Sequence, residues 1–347
     1  MKNYLQWLAS ETQTIWWHDS ANQKEQVRAF DWGAVGMTTN PFLVNQTLAS
    51  HPEDWQTQLA SLDTSLSGEE KVLSLVKAVT GHYATSFLPL YQKGGVGKGY
   101  VCAQTDPNRC GHAASMLALA ERYASWYPNL VIKLPATKAG LVVYEECVAR
   151  GYSVAATLSF TVPQVLAVAE AAKRGKQRAL DLGIKPGLSI AVLMVGRLDD
   201  YLRDVAQDQE SVATESDIRQ AGTACIKKAY RLFTERNYDT FLMPAGCRGG
   251  YHIAALAGAR MICSISPKIQ EELVSLEGPF SEQIEERVDQ EVIERLSTLA
   301  EFRKAYEVEG MAEEEFITFG STNRTIDQFI NDGWNPLLGY PLGKERG

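Results

Sequence analysis

What most constrains this chain is a rhythm. Short β-rich runs alternate with amphipathic helical stretches: TIWWHD (14–19), AVGMTT (34–39), YVCAQ (100–104), LVIKLP (130–135), VAATLS (154–159), LSIAVLMV (188–195), TFLMPA (240–245) and MICSIS (261–266). Strands that each feed a helix predict parallel pairing, and eight of them predict a closed (β/α)8 TIM barrel, an α/β fold. The competing open, doubly wound sheet more often has about five or six strands. The barrel core is expected over about 14–275 of a single domain, 1–347. Additional helices fall in the N-terminal half, and a C-terminal helical extension and tail occupy about 280–347.

Some joints are legible in detail. In TTNPF, Asn40 can cap a helix that opens on Pro41, and in TDPNR Asp106 and Pro107 repeat the arrangement. Between about 50 and 92, Val72, Leu75, Val79, Tyr83 and Phe87 recur at three- or four-residue steps and predict a strong helix. Around SEQIEERVDQEVIERL the pattern is purely helical and highly charged, which reads as helices packed outside the barrel.

The glycine-rich GGVGKG stretch before the third strand imitates a phosphate-binding loop, with Lys98 in the lysine's place. A true loop of that kind runs from strand to helix and ends in GK[ST]. Here Gly99 stands where the hydroxyl belongs, and a helix precedes the glycines while a strand follows. The stretch reads as a helix stop and a tight turn on the stability face of the barrel.

A net charge of -8 argues against binding to nucleic acid or to an anionic membrane, though not against a small anion held by local arginines. The six cysteines, Cys102, Cys110, Cys147, Cys225, Cys247 and Cys263, form no CxxC or zinc-type pattern and fit a reducing, cytoplasmic setting. The stretch MKNYLQWLASETQT has no sustained apolar core and is not read as a signal peptide, and no apolar run reaches the roughly 18–20 residues of a membrane span.

In a barrel, the carboxyl ends of the strands surround one mouth. Those ends here are polar and different: Asp19, Asn40, Gln104, Lys133 and Thr157, with Arg197 and Arg248 just beyond strands six and seven. Lys133 interrupts the apolar strand NLVIKLPAT. In such surroundings an amine either pairs with a carboxylate such as Asp19, or gives up its proton and becomes a nucleophile able to form a Schiff base with a carbonyl. Both readings remain open from the residues alone. Arg197 (VGRLDD) and Arg248 (AGCRGG) suit a phosphate or similar oxyanion, against surface pairing of Arg197 with Asp199 or Asp200. His18 and Asp19 are adjacent in a strand and point to opposite faces. With His51, His82, His112 and His252 there is no HxH or HExxH spacing, so a metal-dependent aldolase is not expected; no cofactor is expected either.

With these residues placed, the chain resembles the transaldolase family. GMTTNPFLV is similar to its strand-two signature, VIKLPATKAGL to its Schiff-base segment and VGRLDD to its strand-six phosphate segment, and the likeness runs more loosely through about 14–275. The resemblance implies transfer of a three-carbon dihydroxyacetone unit between sugar phosphates. Lys133 would form the Schiff base, Asp19 would move the C4 hydroxyl proton, and Thr157 would position a relay water. Asn40 would bind donor hydroxyls, and Arg197 and Arg248 would hold the phosphate.

The sequence departs from that pattern at four places. Gln104 replaces the usual glutamate, as in the fructose-6-phosphate aldolase branch. Met194 stands where that branch has a tyrosine; Ala155 and Val192 replace an asparagine and a serine. The donor end of the pocket is thus more apolar, with Met194 among its substrate contacts. An aldolase releasing free dihydroxyacetone, a transaldolase for a sulfonated sugar, and a non-catalytic sugar-phosphate-binding barrel are the alternatives. Homo-oligomerisation is left open.

Overall fold

The computed structural model describes residues 2–343; Met1 and residues 344–347, the last of the expected C-terminal extension and tail, lie outside them. The described residues hold eight strands: β1 (Ile15–Asp19), β2 (Gly36–Thr38), β3 (Tyr100–Gln104), β4 (Leu130–Pro135), β5 (Val154–Thr157), β6 (Ser189–Leu193), β7 (Phe241–Pro244) and β8 (Ile262–Ile265). Each falls within the run predicted for it. They are parallel, in the order β7-β6-β5-β4-β3-β2-β1-β8. An isolated parallel bridge between Leu242 and Met261 brings β7 to β8, so the sheet is a nearly closed (β/α)8 barrel with flanking helices.

The strands are buried on both faces, as a parallel sheet covered by helices requires. The 26-residue helix Gly68–Lys93 buries Val72, Leu75, Val79, Tyr83 and Phe87. The helix Pro41–Ser50 opens as expected, with Asn40 Oδ1 accepting from the Leu43 N–H at 3.0 Å. Asp106 caps a short 3-10 turn, Pro107–Arg109, and the α-helix follows only at Ala113–Ala124. Among the described residues no helix is long and apolar enough to cross a membrane.

The glycine-rich loop lies at the opposite end of the barrel from the strand carboxyl ends. Gly97 O accepts from the buried Trp17 Nε1 at 2.8 Å. Gly97 has φ +69, and a Cβ there would sit 3.1 Å from Ile262 Cδ1 and 3.3 Å from Ile15 Cδ1. Those isoleucines open β8 and β1, so the loop seals the bottom of the barrel.

The C-terminal region differs from the sequence reading in two respects. Residues 280–289 are not helical; the helix begins at Gln290, capped by Asp289. The N–H groups of Gln283 and Ile284 both donate to Ala257 O, while the carbonyls of Gln283 and Glu286 accept from the buried Lys227 ammonium. Those long-range bonds compete for the groups a helix would use. Further on, the extension packs on the flanking helices and also covers the mouth, which the sequence reading did not include: Phe329–Trp334, a π-helical segment, packs on Pro41–Ser50, and Phe329 lines the mouth.

Candidate active site

Strand alternation and register decide which side chains enter the mouth. In β4, Val131 and Lys133 point inward while Ile132 and Leu134 point to the helices. Lys133 is level with Gln104 of β3 and Ala155 of β5, and Asp19 of β1 is level with Thr38 of β2. These inward residues and the loops above them enclose a cavity of about 160 Å³. Asp19, Asn40, Lys133, Thr157, Met194, Arg197 and Arg248 all line it. Gln104 does not line it; its Oε1 is buried beside Lys133 without a hydrogen-bond partner among the described residues.

Lys133 is 6% exposed. Its Nζ donates one long hydrogen bond, 3.3 Å to Thr39 O, and among the described residues it forms no ion pair. Asp19 Oδ1 instead accepts from Thr38 Oγ1 at 2.7 Å, and Thr38 Oγ1 lies 2.7 Å from Ser264 Oγ. Because the Thr38 hydroxyl donates to Asp19, the Ser264 hydroxyl donates to Thr38.

The two arginines are held differently. The helix Val195–Asp208 begins at the end of β6 without a side-chain cap, and Arg197 lies in its first turn. Among the described residues the Arg197 side chain has no ion pair and no hydrogen bond; its guanidinium lies 5.6 Å from the Phe329 ring centroid. Burial, and then the charge of Arg248, push its pKa down to about 10, against the attraction of Asp19 and Asp200. Gly196 lets this turn approach the next loop, since a Cβ there would lie 2.5 Å from Gly246 O. Arg248 is pinned by Asp200 at 2.7 Å. Asp200, which the sequence offered as a partner for Arg197, is therefore spent on Arg248 and Arg203, and Asp199 is paired with His252. Two guanidinium groups, one without a hydrogen bond or ion pair among the described residues and one half-paired, thus lie beside a helix N-terminus without a side-chain cap, an arrangement with the donors to accept an oxyanion.

Several lining residues escaped sequence reasoning: Phe42, Leu43, Cys247, Ser264, Ser266 and Phe329. The serines could have been found, since MICSIS places hydroxyls two apart at the end of the eighth strand. Phe329 carried no such signal, because it lies more than 60 residues beyond the last strand. The Cys247 thiol is pushed up to about 12 by burial and by Asp19 and Asp199, which makes it a poor nucleophile. His18 points away from the mouth, its Nδ1 2.9 Å from Gln270 Nε2, as strand alternation demanded. Among the described residues, one group of possible metal ligands, His51, Glu53 and Asp54, lies together, and none of the three lines the cavity.

The molecule is thus a (β/α)8 barrel whose mouth gathers a carboxylate, two arginines and a lysine that has no ion pair among the described residues. The family follows from comparison with known proteins. The family model for transaldolase/fructose-6-phosphate aldolase matches residues 16–335, and the chain belongs to that family. It is 31% identical over 269 residues to Transaldolase 1 of Streptomyces coelicolor, covering 74% of this chain and 67% of that protein. It is 31% identical over 241 residues to Transaldolase 1 of Streptomyces avermitilis, covering 65% of this chain and 62% of the relative. With the Kocuria rhizophila transaldolase it shares 30% identity over 211 residues, 58% of this chain and 56% of the relative. The chain thus spans from a little over half to about two thirds of the length of these relatives.

Proposed function

We propose that the chain is a Schiff-base transferase that moves a dihydroxyacetone unit from a ketose phosphate to an aldose phosphate. The observation that carries the reading is Lys133: a buried amine open to a cavity, without an ion pair among the described residues, with Asp19 and two arginines on the same walls. A lysine kept only for structure would be expected to take the nearby carboxylate. Family membership, and relatives named transaldolase, support the same reading.

In this mechanism Lys133 Nζ attacks C2 of the ketose, and loss of water leaves an iminium. Asp19 accepts the C4 hydroxyl proton, the C3–C4 bond breaks, and its electron pair enters the iminium to give an enamine while the aldose phosphate departs. The enamine then adds to an acceptor aldehyde, and water releases the product ketose. Thr157 positions a water for proton transfer, and the orphaned Gln104 Oε1 beside Lys133 can take a buried water, since an amide cannot itself relay as an acid. Asn40, whose Oδ1 is engaged in its helix cap, presents its amide N–H groups to donor hydroxyls. Met194, 4.0 Å by its sulfur from Thr157 Oγ1, supplies an apolar wall with no proton to give, which favours transfer over release of free dihydroxyacetone. Arg197 and Arg248 bind the phosphate.

Borohydride reduction in the presence of fructose 6-phosphate, followed by peptide mapping, tests the proposal. Label on the peptide containing Lys133 is the expected result, and its absence rejects the covalent mechanism in favour of a binding barrel. Product analysis with and without an acceptor aldehyde separates transferase from aldolase.

A further inference from the structure

The loop that carries Arg248 is fixed from behind by a buried pair. His252 and Asp199 are both 0% exposed, with His252 Nε2 2.8 Å from Asp199 Oδ2. The other carboxylate oxygen, Asp199 Oδ1, accepts from the Gly222 N–H at 2.8 Å. On the far side of the ring, the backbone N–H of Arg248 donates to His252 Nδ1 at 3.2 Å. An N–H can donate only to a bare ring nitrogen, so Nδ1 carries no proton and Nε2 carries one, which it donates to Asp199. None of these groups except Arg248 lines the cavity.

Asp200, the next residue, acts on the same arginine from the other end. Arg248 Nε and Nη2 each lie 2.7 Å from Asp200 Oδ2, and Nη1 donates to Gly246 O at 3.1 Å. A guanidinium has five N–H groups, so two remain for an incoming oxyanion.

We propose that the Asp199–His252 couple is a positioning device: it fixes the Arg248 backbone through one imidazole tautomer, so that the free N–H groups of Arg248 meet the oxyanion beside Arg197. The inference rests on the reading of the two arginines as an oxyanion site and is independent of the Schiff-base chemistry. Asp199 orients the backbone of Arg248 and Asp200 its side chain, so the helix after β6 both supplies Arg197 and sets Arg248. Neither aspartate needs to touch the ligand.

Asp199→Asn tests this at constant shape. The Asn oxygen stays on the Gly222 N–H, and its amide N–H turns toward His252 Nε2. The imidazole must then carry its proton on Nδ1, where it opposes the Arg248 N–H. Titration of the full chain with inorganic phosphate in a calorimeter is expected to show Kd raised about tenfold, what a lost and opposed hydrogen bond costs. KM for fructose 6-phosphate rises with it, by more than kcat falls. His252→Gln, which keeps a donor for Asp199 but removes the acceptor at Arg248, is expected to give the same shift.

A phosphate Kd within twofold of the parent in folded Asp199→Asn overturns the proposal. If that variant does not fold, an unchanged Kd in His252→Gln overturns it equally, and failure of both to fold marks the couple as scaffold and ends the proposal. Borohydride trapping of the parent separates this from the catalytic reading. A parent that binds phosphate but traps no ketose refutes the Schiff base and leaves the positioning role to be decided by the two variants, whereas a parent that binds no phosphate overturns the positioning role itself.

Discussion

Thr38 Oγ1 donates to Asp19 Oδ1 at 2.7 Å, and this bond accompanies an Asp19 that makes no ion pair with Lys133. A carboxylate satisfied by a hydroxyl is held in place while the amine across the cavity stays available. Thr38→Val keeps the branched shape and removes the donor. It is expected to lower kcat by about tenfold, the worth of a hydrogen bond to a charged group, while the borohydride adduct still forms. Unchanged kcat would mean that Asp19 needs no such support.

Lys133→Met replaces a buried amine with an apolar chain of similar length. Trapping and turnover should both disappear. Since the amine makes a single bond of 3.3 Å among the described residues, little native interaction is lost and a desolvated polar group is removed, so the melting temperature should hold or rise. A drop of more than about 1 kcal/mol in unfolding free energy would instead identify Lys133 as a structural residue.

Among the described residues the Arg197 guanidinium has no ion pair or hydrogen bond and only the Phe329 ring beside it, so its loss should be felt mainly by the ligand. Arg197→Leu is expected to raise KM for a ketose phosphate by roughly tenfold to a hundredfold, equivalent to about 1.5–3 kcal/mol for hydrogen bonds to a charged group. The same variant assayed with unphosphorylated fructose at matched saturation should differ far less. Equal losses on both donors would remove the phosphate from its proposed place.

His18 is held neutral in the fold. Burial and then Arg28 push its pKa down to about 4 from 6.5, with the Gln270 bond opposing them. The unfolded chain therefore takes up a proton on this group between those values while the folded chain does not. The stabilising contribution is whole above about pH 6.5 and drains away as pH falls toward 4, by at most on the order of 3 kcal/mol. Melting curves at pH 7 and pH 4.5 should show a smaller acid loss for His18→Leu than for the parent.

The GGVGKG loop seals the bottom of the barrel, so its changes should alter stability and not binding. Gly97→Ala meets Ile262 and Ile15 at φ +69 and is expected to cost about 1–2 kcal/mol, with KM unchanged. No ATP binding is expected from the parent or from Lys98→Ala, and calorimetry with MgATP checks it.

Much of the architecture was readable because its signals are local. Each strand is a short apolar run flanked by turn or capping residues, and a run such as NLVIKLPAT carries its own register, so Lys133 and Val131 could be put on one face before any fold was known. The Asn40 cap and the Gly68–Lys93 helix were legible for the same reason. The segment 280–289 was misread because its helical pattern is overridden by partners far away in the chain: Ala257 and Lys227 take its backbone groups. Phe329 at the mouth was invisible for a related reason, since nothing near it in the chain mentions the cavity.

The sequence alone determined the number and direction of the strands and which residues stand at their ends, because strand period and cap chemistry act over a few neighbouring residues. Whether Lys133 would pair with Asp19, which aspartate would hold which arginine, and what would close the mouth were decided only by the tertiary structure. Those outcomes turn on distances between groups tens to hundreds of residues apart, where a shift of one or two ångströms makes or breaks an ion pair.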